Sequence, residues 1–252
     1  MVEICSLASG SNGNCYYIGD DNEAVIVDAG ISLTRFRERM SVAGLDAGKV
    51  RAVFVTHEHR DHAGSVRVLS KHLRIPAYST FGTYNAILRR MRPADYHAIQ
   101  PDSLTEVGNI KVYSFPKSHD AAAPVSFRIE IASHTVGVMT DIGVADAMVC
   151  KNFNMCDAVF LESNYDPQML ADGPYAEYLK VRINSEIGHL SNEQSSALVR
   201  SHAHPALSHL ILSHISADNN SSEKVLAAFA EFSGKYDISL ASRYACGKVV
   251  RL

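Results

Sequence analysis

The segment VFVTHEHRDHAGS, residues 53–65, constrains the fold more than any other part of the sequence. An apolar run typical of a buried strand ends directly in a turn dense with histidines and acidic residues. Within that turn His57, His59, Asp61 and His62 have the spacing H-x-H-x-D-H. Imidazole and carboxylate are the ligands that suit zinc and other borderline divalent metals. The segment therefore predicts a metal site where the strand ends; a histidine-rich surface turn is the competing interpretation.

Three more polar residues follow β-like apolar runs later in the chain. His119 comes after residues 110–115, Asp141 after 135–139 and His214 after 210–212. Taken singly, each is an ordinary surface residue, but open sheets gather ligands at the carboxyl ends of their strands. The turn at 57–62 cannot by itself close two metal sites that keep a position open for water. We expect these three residues to complete them.

The rest of the chain predicts alternating short strands and helices around this site. The remaining β-like segments are residues 2–7, 15–18, 24–27, 51–55, 125–132 and 158–161. Predicted helices cover residues 32–43, 63–72, 192–202 and 222–232, and Ser32 and Gly44 are candidate caps of the first. This order favours an α/β fold with a two-sheet core and helices outside. No linker composition appears, so we expect one domain over residues 1–252.

Composition narrows the class of protein. The formal net charge of -3 gives no general positive field for nucleic acid. The five cysteines are scattered without a C-x-x-C pair, which argues against a disulfide framework or a cysteine zinc site. No stretch approaches the roughly 20 apolar residues of a membrane helix, and no leader is visible at the start. We expect a cytoplasmic protein that does not bind membranes.

The motifs, taken in order, resemble those of the metallo-β-lactamase-fold hydrolases. Asp28 in VIVDAG, H-x-H-x-D-H, His119, Asp141 and His214 match the family's series over nearly the whole chain. The segments LASGSNGNCYYI, SHDAAAPVSF, TDIG, LESNYD, GHLSN and LSHISADNN resemble the YycJ/WalJ-type branch, which is associated with DNA exonuclease activity. The resemblance implies a four-layer αββα sandwich with two mixed β-sheets and outer helices.

The resemblance also implies a dinuclear site. One ion would be held by His57, His59 and His119, the other by Asp61, His62 and His214, with Asp141 bridging them. Asp28 would brace the ligand loop through hydrogen bonds without binding metal. The imidazole-rich ligand set favours two zinc ions, while the bridging carboxylate also admits manganese or iron.

A dinuclear site indicates metal-assisted hydrolysis, and the resemblance to this branch implies a phosphodiesterase that acts on nucleic acid as a DNA exonuclease. A metal-activated hydroxide would attack the scissile phosphate, and Asp61 would orient it. By the resemblance, His189 in GHLSN would contact the phosphate or protonate the leaving oxygen. Ser191 and Asn192 are candidate phosphate donors or the N-cap of the following helix. Ser11 and Asn12, in SGSNGN, form an anion-binding loop or an ordinary hairpin turn.

Two other functions compete with a nuclease. The same centre would suit hydrolysis of a small phosphodiester, thioester or lactone, because one fold and ligand set hosts many reactions. A non-catalytic binding protein on this fold is the third reading, although no ligand position is lost. Arginines at 35–39 and 89–92 favour solvated helix faces over DNA contacts. Glu162 and Asn164 are placed near the cleft without an assigned role.

Overall fold

The computed structural model describes residues 1–252 and contains two seven-stranded sheets. The strands in chain order are β1 (Glu3–Ala8), β2 (Cys15–Gly19), β3 (Ala24–Val27), β4 (Val50–Phe54), β5 (Ala77–Thr80), β6 (Tyr96–Ile99), β7 (Ser103–Val107), β8 (Ile110–Pro116), β9 (Val125–Ile131), β10 (His134–Met139), β11 (Ala158–Glu162), β12 (His209–Ser213), β13 (Asp237–Leu240) and β14 (Val250–Arg251). The first sheet has the order β14-β1-β2-β3-β4-β5-β6 and the second β13-β12-β11-β10-β9-β8-β7.

Each sheet is antiparallel in one half and parallel in the other. In the first sheet β14, β1, β2 and β3 pair antiparallel, whereas β3, β4, β5 and β6 pair parallel. The second sheet repeats the pattern, with β7 to β10 antiparallel and β10 to β13 parallel. The parallel halves bring the carboxyl ends of several strands to the same edge of each sheet. The predicted ligands follow strand ends at this edge.

Nine α-helices connect or cover the strands. They are α1 (Leu33–Ala43), α2 (Arg60–Ala63), α3 (Val66–Leu73), α4 (Phe81–Ala86), α5 (Ala147–Phe153), α6 (Pro167–Asp172), α7 (Glu177–Ile183), α8 (Asn192–His202) and α9 (Ser222–Ala228). The caps of α1 are as predicted: the Ser32 hydroxyl accepts from Arg35 N–H, and Gly44 takes the left-handed conformation. No helix is long and apolar enough to cross a membrane.

Three hydrophobic cores lie between successive layers of the fold. The central core lies between the sheets and contains the aromatic side chains of Tyr16, Phe54, Phe127 and Phe160. A second core joins the first sheet to α1 and α3, and a third joins the second sheet to α5, α8 and α9. This arrangement confirms the predicted four-layer αββα sandwich of two mixed sheets. The extent of the domain, residues 1–252, stays a prediction.

Most predicted elements are present, and the exceptions have local causes. The predicted helix over residues 192–202 coincides with α8. The predicted start of the helix over residues 63–72 is wrong, because the structure has two helices there: α2 ends at Ala63, and α3 begins at Val66. Ser65 N–H bonds the carbonyl of Ala29 in another segment instead of continuing a helix. The helix over residues 222–232 ends at Ala228 and is followed by a 3-10 turn.

Backbone contacts tie three segments together beneath the histidine motif. Asn14 N–H donates to Asp61 O at 2.7 Å, Gly30 N–H to Asn14 O at 2.9 Å, and Ala29 N–H to His62 O at 2.7 Å. Gly30 lies so close to the motif that a Cβ atom there would be 1.7 Å from the Asp61 carbonyl oxygen. Only glycine allows this approach, so the position of Asp61 depends on Gly30.

Replacing Gly30 with alanine should therefore displace the motif. We expect Gly30→Ala to lower the free energy of unfolding by about 1–3 kcal/mol, the usual cost of overpacking, as measured by urea denaturation. Gly48→Ala is the matched control, because Gly48 is exposed in a short 3-10 helix and the first atom that its Cβ would meet is the Asp46 carboxylate at 3.1 Å. Equal losses in the two variants would contradict the proposed role of the close contact.

Candidate metal centre

The predicted ligands converge because each follows the end of a strand. Asp28 follows β3, and the histidine motif follows β4 after two residues. From the second sheet, His119, Asp141 and His214 come after β8, β10 and β12. Except for His59 and Asp61, which are partly exposed, the residues of this set are buried. The site lies where the strand ends of the two sheets meet.

Three of these residues have a left-handed backbone conformation. Asp28 has a φ of 63°, Asp141 of 56° and His214 of 55°. Non-glycine residues adopt this region uncommonly, and such conformations cluster at functional sites. Each occurs immediately or shortly after a strand end, where the chain turns sharply. The turn is thus part of how these side chains enter the centre.

The first group of candidate ligands consists of His57, His59 and His119, whose ligand atoms lie within 4.8 Å of one another. His57 Nε2 is 3.0 Å from His59 Nδ1, and His57 Nδ1 is 2.9 Å from the Thr56 hydroxyl. His119 Nδ1 donates to the carbonyl of Gly188 at 3.0 Å. This bond leaves the lone pair of His119 Nε2 available to an ion.

The second group consists of Asp61, His62 and His214, and Asp141 lies between the two groups. His62 Nε2 is 3.4 Å from Asp61 Oδ2 and 3.2 Å from Asp141 Oδ2. Asp141 Oδ1 is 3.5 Å from His214 Nε2 and 3.9 Å from His119 Nε2. One carboxylate therefore reaches ligand atoms of both groups, as a bridging ligand must.

Unsatisfied polar atoms show that this cluster fits divalent cations. His119 Nε2, His214 Nε2 and Asp141 Oδ2 are buried without a hydrogen-bond partner. Leaving such atoms unpaired costs about 1–3 kcal/mol each. A cation would satisfy all three, and a set of imidazole nitrogens and carboxylate oxygens matches the preference of zinc and similar ions. The structure thus brings every predicted ligand to one place and leaves key ligand atoms free.

Asp28 holds the ligand loop from behind. Its Oδ2 is 2.7 Å from His62 Nδ1, and its Oδ1 accepts from the Thr56 backbone N–H at 2.9 Å. The Thr56 hydroxyl also donates to this carboxylate and contacts His57 Nδ1. By accepting from Nδ1–H, Asp28 fixes the tautomer in which His62 Nε2 can bind a metal.

Charge interactions set the protonation of the histidines in the metal-free protein. Burial alone lowers the pKa of His214, but Asp141, Asp61 and Glu162 together outweigh it and raise that pKa to about 10. For His119 burial dominates and lowers the pKa to about 4. Burial raises the pKa of the Asp61 carboxyl, but the charge of His62 and hydrogen bonds reverse this, so the net pKa is well below its usual range. The cluster is therefore poised to exchange protons for cations.

His189 lies beside the centre and is paired with Glu162. His189 Nδ1 is 2.9 Å from Glu162 Oε1 and 3.8 Å from Asp141 Oδ1, and 17% of the side chain is exposed. The other oxygen of Glu162 accepts from the backbone N–H groups of Ile142 and Leu190. Burial opposes ionisation of Glu162, but the charge and hydrogen bond of His189 and the hydrogen bond of His214 lower its pKa to about 2. A fixed carboxylate thus orients the His189 ring.

Glu162 and Asn164, which the sequence left without a role, contact His214. Glu162 Oε1 is 3.3 Å from His214 Nδ1, and Asn164 Nδ2 is 3.1 Å from the same atom. Asn164 also donates to the His214 carbonyl at 2.7 Å. The segment LESNYD thus positions both His214 and His189.

Three further residues at the centre were not anticipated as site residues. Asn14 Nδ2 is 2.9 Å from His62 Nε2. Lys117 is buried, its Nζ donates to Thr140 O at 2.6 Å, and burial lowers its pKa. Asp120 Oδ1 lies 3.5 Å from His119 Nε2, while Arg182 pairs with its other oxygen. Asn14 belongs to the motif SGSNGN, and Lys117 and Asp120 lie beside His119 in KSHD. Their closeness in sequence to these motifs is the signal that could have identified them as site residues.

The candidate phosphate-binding residues fall into two classes. Ser11 and Asn12 are exposed and line a cavity of about 480 Å³ that also contains Asp61. Ser191 is buried, and its hydroxyl caps α8 by accepting from Gln194 N–H. Asn192 is buried and bonds to Ser163 and Asn220. The side chains of Ser191 and Asn192 are therefore engaged in hydrogen bonds within the protein.

Sequence comparisons match this chain to known proteins. The model of the "Beta-lactamase superfamily domain" matches residues 23–215. Exodeoxyribonuclease YycJ of Bacillus anthracis is 36% identical over 223 residues, which cover 86% of this chain and 83% of that protein. Exodeoxyribonuclease WalJ of Streptococcus pneumoniae serotype 2 is 31% identical over 86% of this chain and 82% of its own length. These matches confirm the resemblance inferred from the motifs.

Solved structures support the fold alone, because their identities are low. The metallo-β-lactamase fold protein YhfI from Bacillus subtilis superposes with a TM-score of 0.75 at 16% identity and covers 100% of both chains. Zn(2+)-bound PqqB from Methylobacterium extorquens gives a TM-score of 0.74 at 13% identity, covering 99% of this chain and 100% of that one.

Removing the charge of Asp28 tests its bracing role. We expect Asp28→Asn to weaken metal affinity about 10- to 100-fold, the usual effect of losing a partner of a metal-binding histidine, as measured by competition with a chelating dye. Asp95→Asn is the control, because Asp95 Oδ1 is 3.1 Å from His97 Nε2 in an exposed pair. Wild-type affinity in Asp28→Asn would refute the bracing role.

Metal uptake should release protons near neutral pH. With a pKa of about 10, His214 is protonated in the metal-free protein at pH 7.5 and must lose its proton to become a ligand. Affinity should therefore rise with pH between about 7 and 10, by up to about tenfold per unit for each proton released. Calorimetric titration with zinc in buffers of different ionisation enthalpy measures the release. Heats that are independent of the buffer would contradict this prediction.

Proposed function

The chain belongs to the β-lactamase superfamily and is a metal-dependent hydrolase, and from this premise we propose that it is a DNA exonuclease that uses two divalent ions. The observation that carries the proposal is the His189–Glu162 pair beside the two groups of ligands, 3.8 Å from Asp141. Such a pair supplies the proton donor that phosphodiester cleavage needs in addition to a metal centre. The names of the relatives above support DNA as the substrate.

The residues would hold two ions as the sequence predicts. His57, His59 and His119 would hold one, and Asp61, His62 and His214 the other, with Asp141 shared. When bound, the ions would supply an activated water molecule and neutralise charge on the phosphate. Zinc is the ion we propose, since imidazoles outnumber carboxylates, and manganese or iron is the alternative.

Two side chains would serve the chemical step directly. The depressed pKa keeps Asp61 anionic, so its partly exposed carboxylate can accept a hydrogen bond and orient the attacking water. Glu162 binds His189 Nδ1 and fixes the ring, so that Nε2 is the atom left to give a proton to the leaving oxygen. A DNA substrate also fits the cytoplasmic location that we expect.

Hydrolysis of a small ester is the second candidate. The cavity of about 480 Å³ at Asp61 falls within the size range of small-molecule sites, roughly 300–1,000 Å³. A substrate panel separates the two functions. It comprises linear duplex DNA, covalently closed circular DNA, RNA and bis(p-nitrophenyl) phosphate, assayed with the zinc- and manganese-loaded protein and with Asp61→Ala as the inactive control.

We expect mononucleotides to be released from linear DNA, none from closed circles, and all activity to stop with a chelator. Closed circles lack the ends at which an exonuclease starts. A metal-loaded protein that leaves every DNA and RNA intact while cleaving the small diester would refute the nuclease proposal and favour the second candidate.

Removal of His189 tests the role of proton donor. We expect His189→Ala to lower kcat on DNA about 10²- to 10⁴-fold while the metal content stays at the wild-type value. The loss should be much smaller on bis(p-nitrophenyl) phosphate, because p-nitrophenolate leaves without protonation. His97→Ala, at an exposed position, is the control. Equal losses on both substrates, or loss of a metal ion, would contradict the role.

A further inference from the structure

Two neighbouring cavities lead away from the candidate metal centre. The first, of about 480 Å³, begins at Asp61; no hydrophobic residue lines it, and Ser11, Asn12 and Arg60 are among its walls. The second, of about 410 Å³, lies beyond it and is lined by a set that includes Asn12, Arg35, Arg39, Arg243 and Tyr244. The chemistry proposed above uses only the end of the first cavity at Asp61.

The loop at residues 9–14 forms a wall common to both cavities. Asn12 lines both, and its Nδ2 donates to the Arg243 carbonyl at 3.5 Å. The Arg243 side chain lies against Gly10, where a Cβ atom would be 3.2 Å from Arg243 Nη2. The loop and the C-terminal segment are therefore in contact, and the two cavities adjoin. We call them together the arginine track.

The arginine track is positively charged although the chain carries a net charge of -3. Arg35 and Arg60 are exposed and have no acidic partner within 4.0 Å, unlike Arg200, which pairs with Glu231. Glu38 is the acidic residue on the wall of the second cavity. Unpaired, exposed guanidinium groups beside a hydrolytic centre are suited to phosphate groups.

Two more arginines on the track are held in place by carbonyl groups. Arg39 Nη1 donates to Leu7 O at 2.6 Å, and Arg243 Nη2 donates to Ile215 O at 3.0 Å. Neither guanidinium is neutralised by a carboxylate within 4.0 Å, so both add fixed positive charge to the wall of the second cavity.

An exposed aromatic ring completes the track. Tyr244 is 78% exposed, and the Arg243 guanidinium carbon lies 6.0 Å from its ring centroid. Grooves that bind single strands combine positive charge along the backbone with aromatic rings on which bases stack.

We propose that the arginine track binds the uncleaved part of a single DNA strand whose end lies at the metal centre. Arg35 and Arg60 contact backbone phosphates, and a base stacks on Tyr244. The track thus recruits an end of DNA to the metal centre. This inference rests on the proposed function and concerns where its substrate lies.

Equilibrium binding tests the track without requiring cleavage. The probe is a fluorescent 20-nucleotide single-stranded DNA with phosphorothioate linkages, titrated with metal-loaded protein at several salt concentrations. Each of Arg35→Ala and Arg60→Ala should raise Kd and reduce the slope of log Kd against log salt by about 0.7, the value for one phosphate contact on a single strand. Tyr244→Ala should raise Kd about 5- to 150-fold, the range measured for loss of one stacked base.

Arg37→Ala is the matched control, because Arg37 lies on α1, the helix that also contains Arg35. Its side chain contacts His72 and lines neither cavity. This variant should keep the wild-type Kd and salt slope. Arg35→Ala and Tyr244→Ala should also raise KM for DNA while leaving kcat/KM for bis(p-nitrophenyl) phosphate unchanged, since both residues line the second cavity and not the first, and a small diester reaches the centre without the second.

The outcomes distinguish the track from the nuclease proposal. Wild-type Kd and slope in all three track variants, or no binding of single strands by the wild-type protein, would overturn the track. Cleavage of DNA by the wild-type protein in the first case would leave the nuclease proposal standing. Binding through the track without cleavage of any nucleic acid would support the track and refute the nuclease.

Discussion

Buried carboxylates facing imidazole rings are the constraint on which the rest of this structure depends. Asp28, Asp141 and Glu162 are at most 2% exposed, and Asp61 is partly exposed beside them. Buried charges are costly unless they are paired and hydrogen-bonded. Here histidines, backbone N–H groups and Lys117 provide the compensation, and the remaining free ligand atoms point to cations. The carboxylates and histidines can pair in this way only because both sheets hold the ends of several strands close together.

Each sheet contributes half of the centre, so the central core sets the geometry of the site. The first sheet supplies Asp28 and the histidine motif, and the second supplies His119, Asp141 and His214. A direct link joins the halves where His214 N–H donates to the Ser9 hydroxyl at 2.7 Å. Packing between the sheets therefore acts on the geometry of the metal centre.

Much of the site could be predicted from the sequence because its signals are local. H-x-H-x-D-H lies within six residues, and His119, Asp141 and His214 each follow a recognisable strand. The four-layer fold follows from the family motifs. The break at Gly64 and Ser65 could not be predicted, because it depends on the bond from Ser65 N–H to the distant Ala29.

Long-range contacts also explain the residues whose roles the sequence left open. Glu162 orients His189 and contacts His214, which is visible only when β11 and β12 lie side by side. Asn14 reaches His62 from a loop 48 residues earlier. The sequence allowed Ser191 and Asn192 to be either phosphate donors or helix-capping residues. In the structure Ser191 is the N-cap of α8, and Asn192 belongs to a buried network of amide side chains. A pattern of residue types does not distinguish these uses.

The number of metal ions per chain tests the central claim most directly, since the buried ligand atoms without hydrogen-bond partners fit cations. Elemental analysis combined with native mass spectrometry should find two divalent ions in the wild-type protein. Asp141→Asn should hold fewer, because its carboxylate reaches ligand atoms of both groups. Less than one tightly held ion per wild-type chain would contradict a dinuclear centre and favour a binding protein that has kept the fold without the chemistry.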